Sequence, residues 1–288
     1  MKKKLNVDKN KNLMVTVSGG RSSAYAAYLI HTSPKYADYN KIYVFANTGQ
    51  EHSQTIEFLK NIEKHWGIDL IKIEGVYSEV MGVGVKYKIV DYDNLSMNSE
   101  PYTECIKHLN KGEFSGLPFT EAPYCSKYLK VIPCEKLAND VFGIGNYVKA
   151  VGYRKEDMPR RITMSEVKAD KKRIFPLISD FDYPVGLYEL GIFWKNQPFQ
   201  LHLKRELSNC ILCWKKGPPI LAEALKDPEA KKQVDWWAEK ESQYGNVSFY
   251  DGSILDVVRK AKELQSMPKQ QLLEIQIDDE DNSCVCSM

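Results

Sequence analysis

The chain lacks several features that would settle its class at once. No apolar run approaches the roughly 20 residues that a membrane-spanning helix needs. The early lysines (Lys2, Lys3, Lys4, Lys9, Lys11) precede no apolar stretch before residue 13. Neither a membrane span nor a secretory leader is expected, and the expected compartment is the cytoplasm. An excess of one charge is also missing. Forty Lys and Arg stand against 38 Asp and Glu, a formal charge of +2. Net charge therefore makes no case for a nucleic-acid or membrane partner. Histidine is scarce: the five (His31, His52, His65, His108, His202) share no metal-ligand spacing, and only His52 adjoins a motif. No internal repeat is present.

Cysteine is present in a number that excludes one use. Seven cysteines, without a leader, argue against a closed disulfide framework and for metal or redox chemistry. Cys210-Ile211-Leu212-Cys213 is a C-x-x-C pair, a spacing at which two thiolates grip one metal or one edge of an iron–sulfur cluster. Cys284-Val285-Cys286 lies near the end, just after the acidic stretch Asp278–Asp281. Thiols this close could serve as attacking and resolving groups, or do nothing.

At the other end, Leu13–Val17 is an apolar, β-branched run that enters Ser18-Gly19-Gly20-Arg21-Ser22-Ser23, followed by the helix-like stretch Ala24–Ile30. A strand, a glycine turn and a helix N-terminus together form an anion site, and Arg21 could add a bidentate phosphate contact. A second buried-strand pattern, Lys41–Ala46, ends in Asn47-Thr48-Gly49-Gln50-Glu51-His52. A helix with Ile56, Leu59, Ile62 and Trp66 on one face follows, then a third strand over Asp69–Glu74. Strands alternating with helices predict a parallel sheet whose ligand sits at the carboxyl ends of the strands.

Residues 75–120 show weak periodicity and read as an active-site excursion. A helix is expected from about Ser126 to Val141, a strand over Tyr147–Gly152, and a short terminal strand over Ile174–Ile178. Arg160 and Arg161 follow the strand-end glycine Gly152, a place that favours anion contact over solvated charge.

Five segments in order resemble the phosphoadenosine phosphosulfate (PAPS) reductase family of the PP-loop, or adenine nucleotide α-hydrolase-like, superfamily. They are Ser18–Ser23 as the PP-loop, Phe45–Glu51 as the "DTG" strand end and Tyr124–Pro133 as the Cys-containing "LK-x-x-P" helix. Gly152–Arg161 resembles the "G-x-R-x-x-E-x-x-x-R" segment, and Asn209–Lys216 the late C-x-x-C segment. The wording looks most like short members carried by bacteriophages and mobile elements. The resemblance implies an adenine nucleotide (PAPS, adenosine phosphosulfate or ATP) held by Ser18, Gly19, Gly20, Arg21, Ser22, Ser23, Asn47, Thr48, Gly49, Glu51, Gly152, Arg154 and Arg161. Arg154, with Cys284 or Cys286, would take part in the chemistry.

The sequence departs from the family at two loop positions. Ser22 replaces the Asp of S-G-G-x-D-S, and Asn47 replaces the Asp of "DTG". Both losses put magnesium and ATP cleavage in doubt. They suit an anionic ligand, or a pocket that binds without chemistry. Relatives with a cluster ligate it through an upstream Cys pair, here Cys125 with Ser126, together with the C-x-x-C. The implied ligands are Cys125, Cys210 and Cys213, with a 4Fe-4S cluster as the group and zinc as the alternative. Cys134 and Cys105 are candidates for a fourth position, which could also stay open. Nine residues of straight helix span about 13.5 Å, so Cys134 qualifies only if the chain bends near Pro133. Otherwise both are buried small hydrophobes.

The expected fold is α/β, a doubly wound, mainly parallel sheet of about five strands with a helical C-terminal lobe. The expected parts are a basic tail (1–12), a nucleotide-binding domain with the C-x-x-C (13–217), a helical lobe (218–277) and an acidic Cys-containing tail (278–288). The lead reading is an enzyme of sulfur-centred reduction or transfer, served by a thiol reductant protein. Two others stay open: ATP-dependent activation for nucleic-acid thiolation, releasing AMP and pyrophosphate, and non-catalytic nucleotide binding. The oligomeric state is not legible.

Overall fold

The computed structural model describes residues 11–80, 83–110, 116–250 and 252–267. Six strands form one sheet in the order β4-β3-β2-β1-β5-β6. β1 (Asn12–Thr16) pairs in parallel with β2 (Asn40–Asn47) on one side and β5 (Val148–Ala150) on the other. All five residues of β1 are buried, as expected of a strand covered on both faces. β2 continues in parallel to β3 (Leu70–Val76), and β5 to β6 (Arg173–Ile174).

The sequence turns from one side of β1 to the other between β3 and β5. The carboxyl ends of β1 and β5 therefore flank the topological switch point, where open α/β sheets bind ligands. α1 (Arg21–Thr32) and α2 (Ser53–Trp66) cover one face with a core that includes Val15, Phe45, Phe58 and Leu59. α4 (Ile132–Phe142) covers the other face through Cys134, Leu137 and Ala138. A second core gathers Ile211, Leu212, Leu221, Trp237 and Val257, joining the C-x-x-C segment to α8 (Pro218–Ala224), α9 (Pro228–Tyr244) and α10 (Ile254–Ser266). None of the described helices is long and apolar enough to cross a membrane.

Three elements differ from expectation. The sheet has a sixth strand, β4 (Lys86–Val90), antiparallel to β3. It lies inside the 75–120 excursion, which also contains α3 (Glu100–Asn110). β4 is an edge strand with Lys86, Lys88 and Ile89 exposed; the alternation Val85-Lys86-Tyr87-Lys88-Ile89 that marks it is only five residues long and sits in an otherwise weakly periodic stretch. The terminal strand stops at Ile174, because Pro176 fixes its own φ, donates no N–H and opens a short helix, α6 (Pro176–Ser179). The helix from Ser126 to Val141 is not uniform. Lys127–Val131 is π-helical. Pro133 removes the N–H that an α-helix would send to Leu129, and its ring crowds that carbonyl, so one widened turn absorbs the conflict.

Candidate nucleotide and cysteine site

The first site is a cleft of about 730 Å³ at the switch point. One wall is the loop after β1. Gly19 adopts φ +79°, and a β-carbon there would come within 2.3 Å of Thr55 Cγ2. No residue but glycine takes that turn without cost. α1 then starts from Gly20 with no side-chain cap and no acidic residue in its first turn. Its N-terminal dipole and first N–H groups face the cleft without competition, which favours an anion. Ser23 Oγ closes the loop by accepting from Ser18 N at 3.0 Å and donating to Gly20 O at 3.0 Å.

The opposite wall is Gly152–Arg160. Gly152 packs directly on the loop, since a β-carbon there would lie 2.9 Å from Ser23 Cα. Asp157 organises this segment. Its Oδ2 accepts from Arg154 N at 2.9 Å, and its Oδ1 pairs with Arg161 Nε at 3.3 Å. Five basic side chains line the cleft (Arg21, Arg154, Arg160, Arg205, Lys216) against two acids, Glu156 and Asp157. This local excess is invisible in the chain's net charge. Arg21 Nη2 donates to Leu201 O at 2.8 Å, which pins its guanidinium to the cleft's floor.

The loop after β2 serves a different place. Asn47, Thr48 and Gln50 have no exposed surface and Glu51 almost none, and none of them lines the cleft. Asn47 Nδ2 donates to Glu74 Oε1 and to Ser96 O, each at 2.7 Å, while its Oδ1 accepts from Gly49 N at 3.2 Å. An Asp here would set a second carboxylate against Glu74, which gives the Asn47 departure a local reason. Glu51 accepts from Thr48 N and Oγ1 at 3.0 and 2.9 Å and pairs with Lys130 at 3.6 Å. His52 Nδ1 caps α2 by accepting from Gln54 N, and its ring faces Asp227 and Glu229, away from the cleft.

That loop is joined to the C-x-x-C segment. Glu51 bridges to Cys210, and Ile211 N donates to Gln50 O at 3.0 Å. Thr48 Oγ1 lies 3.6 Å from Cys210 Sγ. Cys125, Cys210 and Cys213 thereby border one buried cavity with Gln50, Trp214 and Trp237. Tyr102, on the same wall, has its hydroxyl pushed well above the ordinary value by burial and then by the neighbouring Cys125, Tyr124, Cys210 and Cys213. The space is about 10 Å³, room for one water-sized group. Among the described residues, no three His, Cys, Asp or Glu side chains converge as a single-ion site. The thiols ring the cavity instead. Gln50 Nε2 and Oε1, Trp214 Nε1 and Trp237 Nε1 have no hydrogen-bond partner there. Each such buried group costs about 1–3 kcal/mol.

Cys134 is elsewhere. It packs in the core with Met14, Val44 and Ile73, and burial pushes its thiol up to about 12, the state of an inert small hydrophobe. Cys105 is also buried, in the C-terminal core beside Tyr77. Cys284 and Cys286 lie outside the described residues.

One residue of the site carries no motif in the sequence, and a second has a role that its motif does not reveal. Arg205 enters the cleft from the segment before the C-x-x-C. Lys216 borders the cleft while its ammonium donates to the carbonyls of Glu206, Ser208, Cys210 and Ile211 at 2.7–3.0 Å. The segment ending at Lys216 thus forms a wall of both sites. Asn209, at φ +59°, makes the turn between them, a conformation that asparagine tolerates better than most residues.

The fold, the glycine loop after β1 and the basic wall after β5 describe an α/β domain of the PP-loop type with a basic cleft at its switch point. Residues 12–182 match the phosphoadenosine phosphosulfate reductase domain, and the chain belongs to that family. It is also similar to a protein of Escherichia phage lambda described as "Uncharacterized nin region protein ORF290". The two are 30% identical over 224 residues, 77% of this chain and 72% of the relative. No solved structure matches.

Proposed function

We propose that the chain is an enzyme that binds an adenine nucleotide in the cleft and carries out sulfur-centred reduction or transfer. The observation that carries this reading is the shared wall. A basic anion cleft and a cavity bordered by three thiols lie on two sides of one segment, Ser208–Lys216. Membership of the family supports nucleotide-linked sulfur chemistry.

The donor set suits an iron–sulfur cluster. Its ligands bind different iron atoms, so three ringed thiols agree with it better than with one zinc ion, whose thiolates converge at about 2.3 Å. Cys125, Cys210 and Cys213 would hold it. Such a group supplies electrons or tunes the field beside the nucleotide. In the cleft, the N-terminus of α1 and Arg154 bind the phosphate, and Arg205 and Arg160 neutralise charge growing on the leaving group.

A thiolate of Cys284 or Cys286 attacks the sulfonate sulfur of a sulfonucleotide. The S–S bond forms as the S–O bond to phosphate breaks, and the adenosine phosphate departs with that electron pair. A second thiolate, from the neighbouring cysteine or a thiol reductant protein, attacks the attached cysteine sulfur and releases sulfite. The resulting disulfide is reduced by the same class of protein.

Anaerobic purification with iron, sulfide and zinc quantified, followed by incubation with PAPS, adenosine phosphosulfate or ATP, tests this reading. Iron with sulfide, and sulfite released from a sulfonucleotide, are the expected results. AMP and pyrophosphate from ATP would replace it with ATP-dependent activation. Nucleotide binding without turnover would replace it with a binding protein.

A further inference from the structure

The cysteine cavity holds more hydrogen-bond donors than its walls use. Gln50 has no exposed surface, and neither atom of its amide has a partner. Its main chain, by contrast, is firmly fixed. Gln50 N donates to Thr48 Oγ1 at 3.3 Å, and Gln50 O accepts from Ile211 N at 3.0 Å and Gln233 Nε2 at 3.2 Å. These bonds anchor the residue beside the Glu51–Cys210 bridge, so the amide begins next to the C-x-x-C and borders the same space as the three thiols. The indole N–H groups of Trp214 and Trp237, on the same walls, are unpartnered as well. Buried polar groups in folded proteins are almost always paired, so three unpaired donor-bearing side chains around one cavity point to a group that pairs them.

The chemistry of the missing partner follows from its neighbours. It must accept N–H bonds and must tolerate thiolates. Sulfide and metal-bound thiolate sulfur meet both conditions, and hydrogen bonds to such sulfurs are a main determinant of a cluster's potential. Building on the iron–sulfur reading above, we infer that Gln50 Nε2 donates a hydrogen bond to sulfur of the group held by Cys125, Cys210 and Cys213, and thereby raises its reduction potential. The reduced state carries one more negative charge, so a fixed N–H dipole stabilises it more than the oxidised state. Trp214 and Trp237 supply two further donors on the same cavity, and the Gln50 amide is the one attached to the sheet.

The test uses the full chain, reconstituted without oxygen with ferrous iron and sulfide. Wild type, Gln50→Leu and Gln50→Met are compared for iron and sulfide content and for potential by spectroelectrochemical titration. The expected result is equal loading with the reduction equilibrium of Gln50→Leu moved about tenfold toward the oxidised state, about 59 mV lower for one electron. Gln50→Met, which keeps the length and loses the donor, should move the same way. A loaded Gln50→Leu at the wild-type potential overturns the assignment of Gln50 and leaves the iron–sulfur reading intact. If Gln50→Leu does not fold, the wild-type potential in Gln50→Met overturns it equally. A wild-type chain that takes up no iron overturns the iron–sulfur reading, and this inference with it.

Discussion

Gly152 and Ser23 touch through backbone alone: a methyl group on Gly152 would stand 2.9 Å from Ser23 Cα and 3.1 Å from Ser22 O. The end of β5 and the phosphate loop after β1 are therefore in direct van der Waals contact. Neither neighbour can move aside by rotating a side chain. Gly152→Ala should push the loop off its position, and affinity for adenosine phosphosulfate should fall at least tenfold, about 1.4 kcal/mol. Titration calorimetry measures it, and an affinity within twofold of wild type would refute the dependence.

Arg205 contributes charge to the cleft from outside the motif-bearing segments. A charge-assisted contact to phosphate contributes about 1.5–3 kcal/mol, so Arg205→Gln should weaken nucleotide binding about 10-fold to 100-fold. The salt dependence of binding should also become shallower. Arg259→Gln, on the exposed face of α10, is the control and should change neither quantity.

Lys216 holds the wall between the two sites by its ammonium group. Lys216→Met keeps most of the apolar stem and strands four carbonyls that now accept from Nζ. The expected loss is about 2–4 kcal/mol, which corresponds in a chain of this length to a melting temperature lower by about 3–7 °C. Lys216→Arg should not restore it, because a planar guanidinium cannot donate toward four carbonyls gathered around a point. Scanning calorimetry on both variants decides.

Glu241 predicts a pH effect. Burial raises its carboxyl to about 7, with Asp256 adding to the rise, even though the Ile254 N–H bond opposes it. The folded state thus holds a proton that the unfolded chain releases near the ordinary value of 4.5. This contribution is fully present below pH 4.5 and declines as pH rises toward 7. Glu241→Gln should remove the decline, leaving stability unchanged at pH 4.5 and raising it at pH 8 by about 1–2 kcal/mol after solvent screening. Chemical denaturation at the two pH values reads the difference.

Residues whose role depends on local pattern were legible in the sequence. The run Leu13–Val17 gave the central strand, and Gly19-Gly20 before a helix gave the turn into α1 beside the cleft, because backbone chirality ties glycine to such turns. Cys125, Cys210 and Cys213 were grouped through the family resemblance, and the structure puts them on one cavity. Residues defined by long-range assembly were not legible. Thr48 and Glu51 follow the carboxyl end of β2, yet the C-x-x-C segment covers them and ties them to the side of the thiols. Lys216 looks like the second of two surface lysines, Lys215-Lys216, until four carbonyls converge on it. β4 escaped although Val85-Lys86-Tyr87-Lys88-Ile89 alternates apolar and polar residues, because the run is short and the stretch around it has no other regular period.

The same lysines bear on how the molecule behaves in a crowd of its own copies. One margin of the sheet is β4, whose exposed positions carry two ammonium groups, and the other is β6, only two residues long. A neighbouring chain seeking to extend the sheet meets charge at one border and almost no ladder at the other. Concentrated solutions should therefore resist fibrous growth by strand addition, and contacts between copies would have to be made by helices and loops.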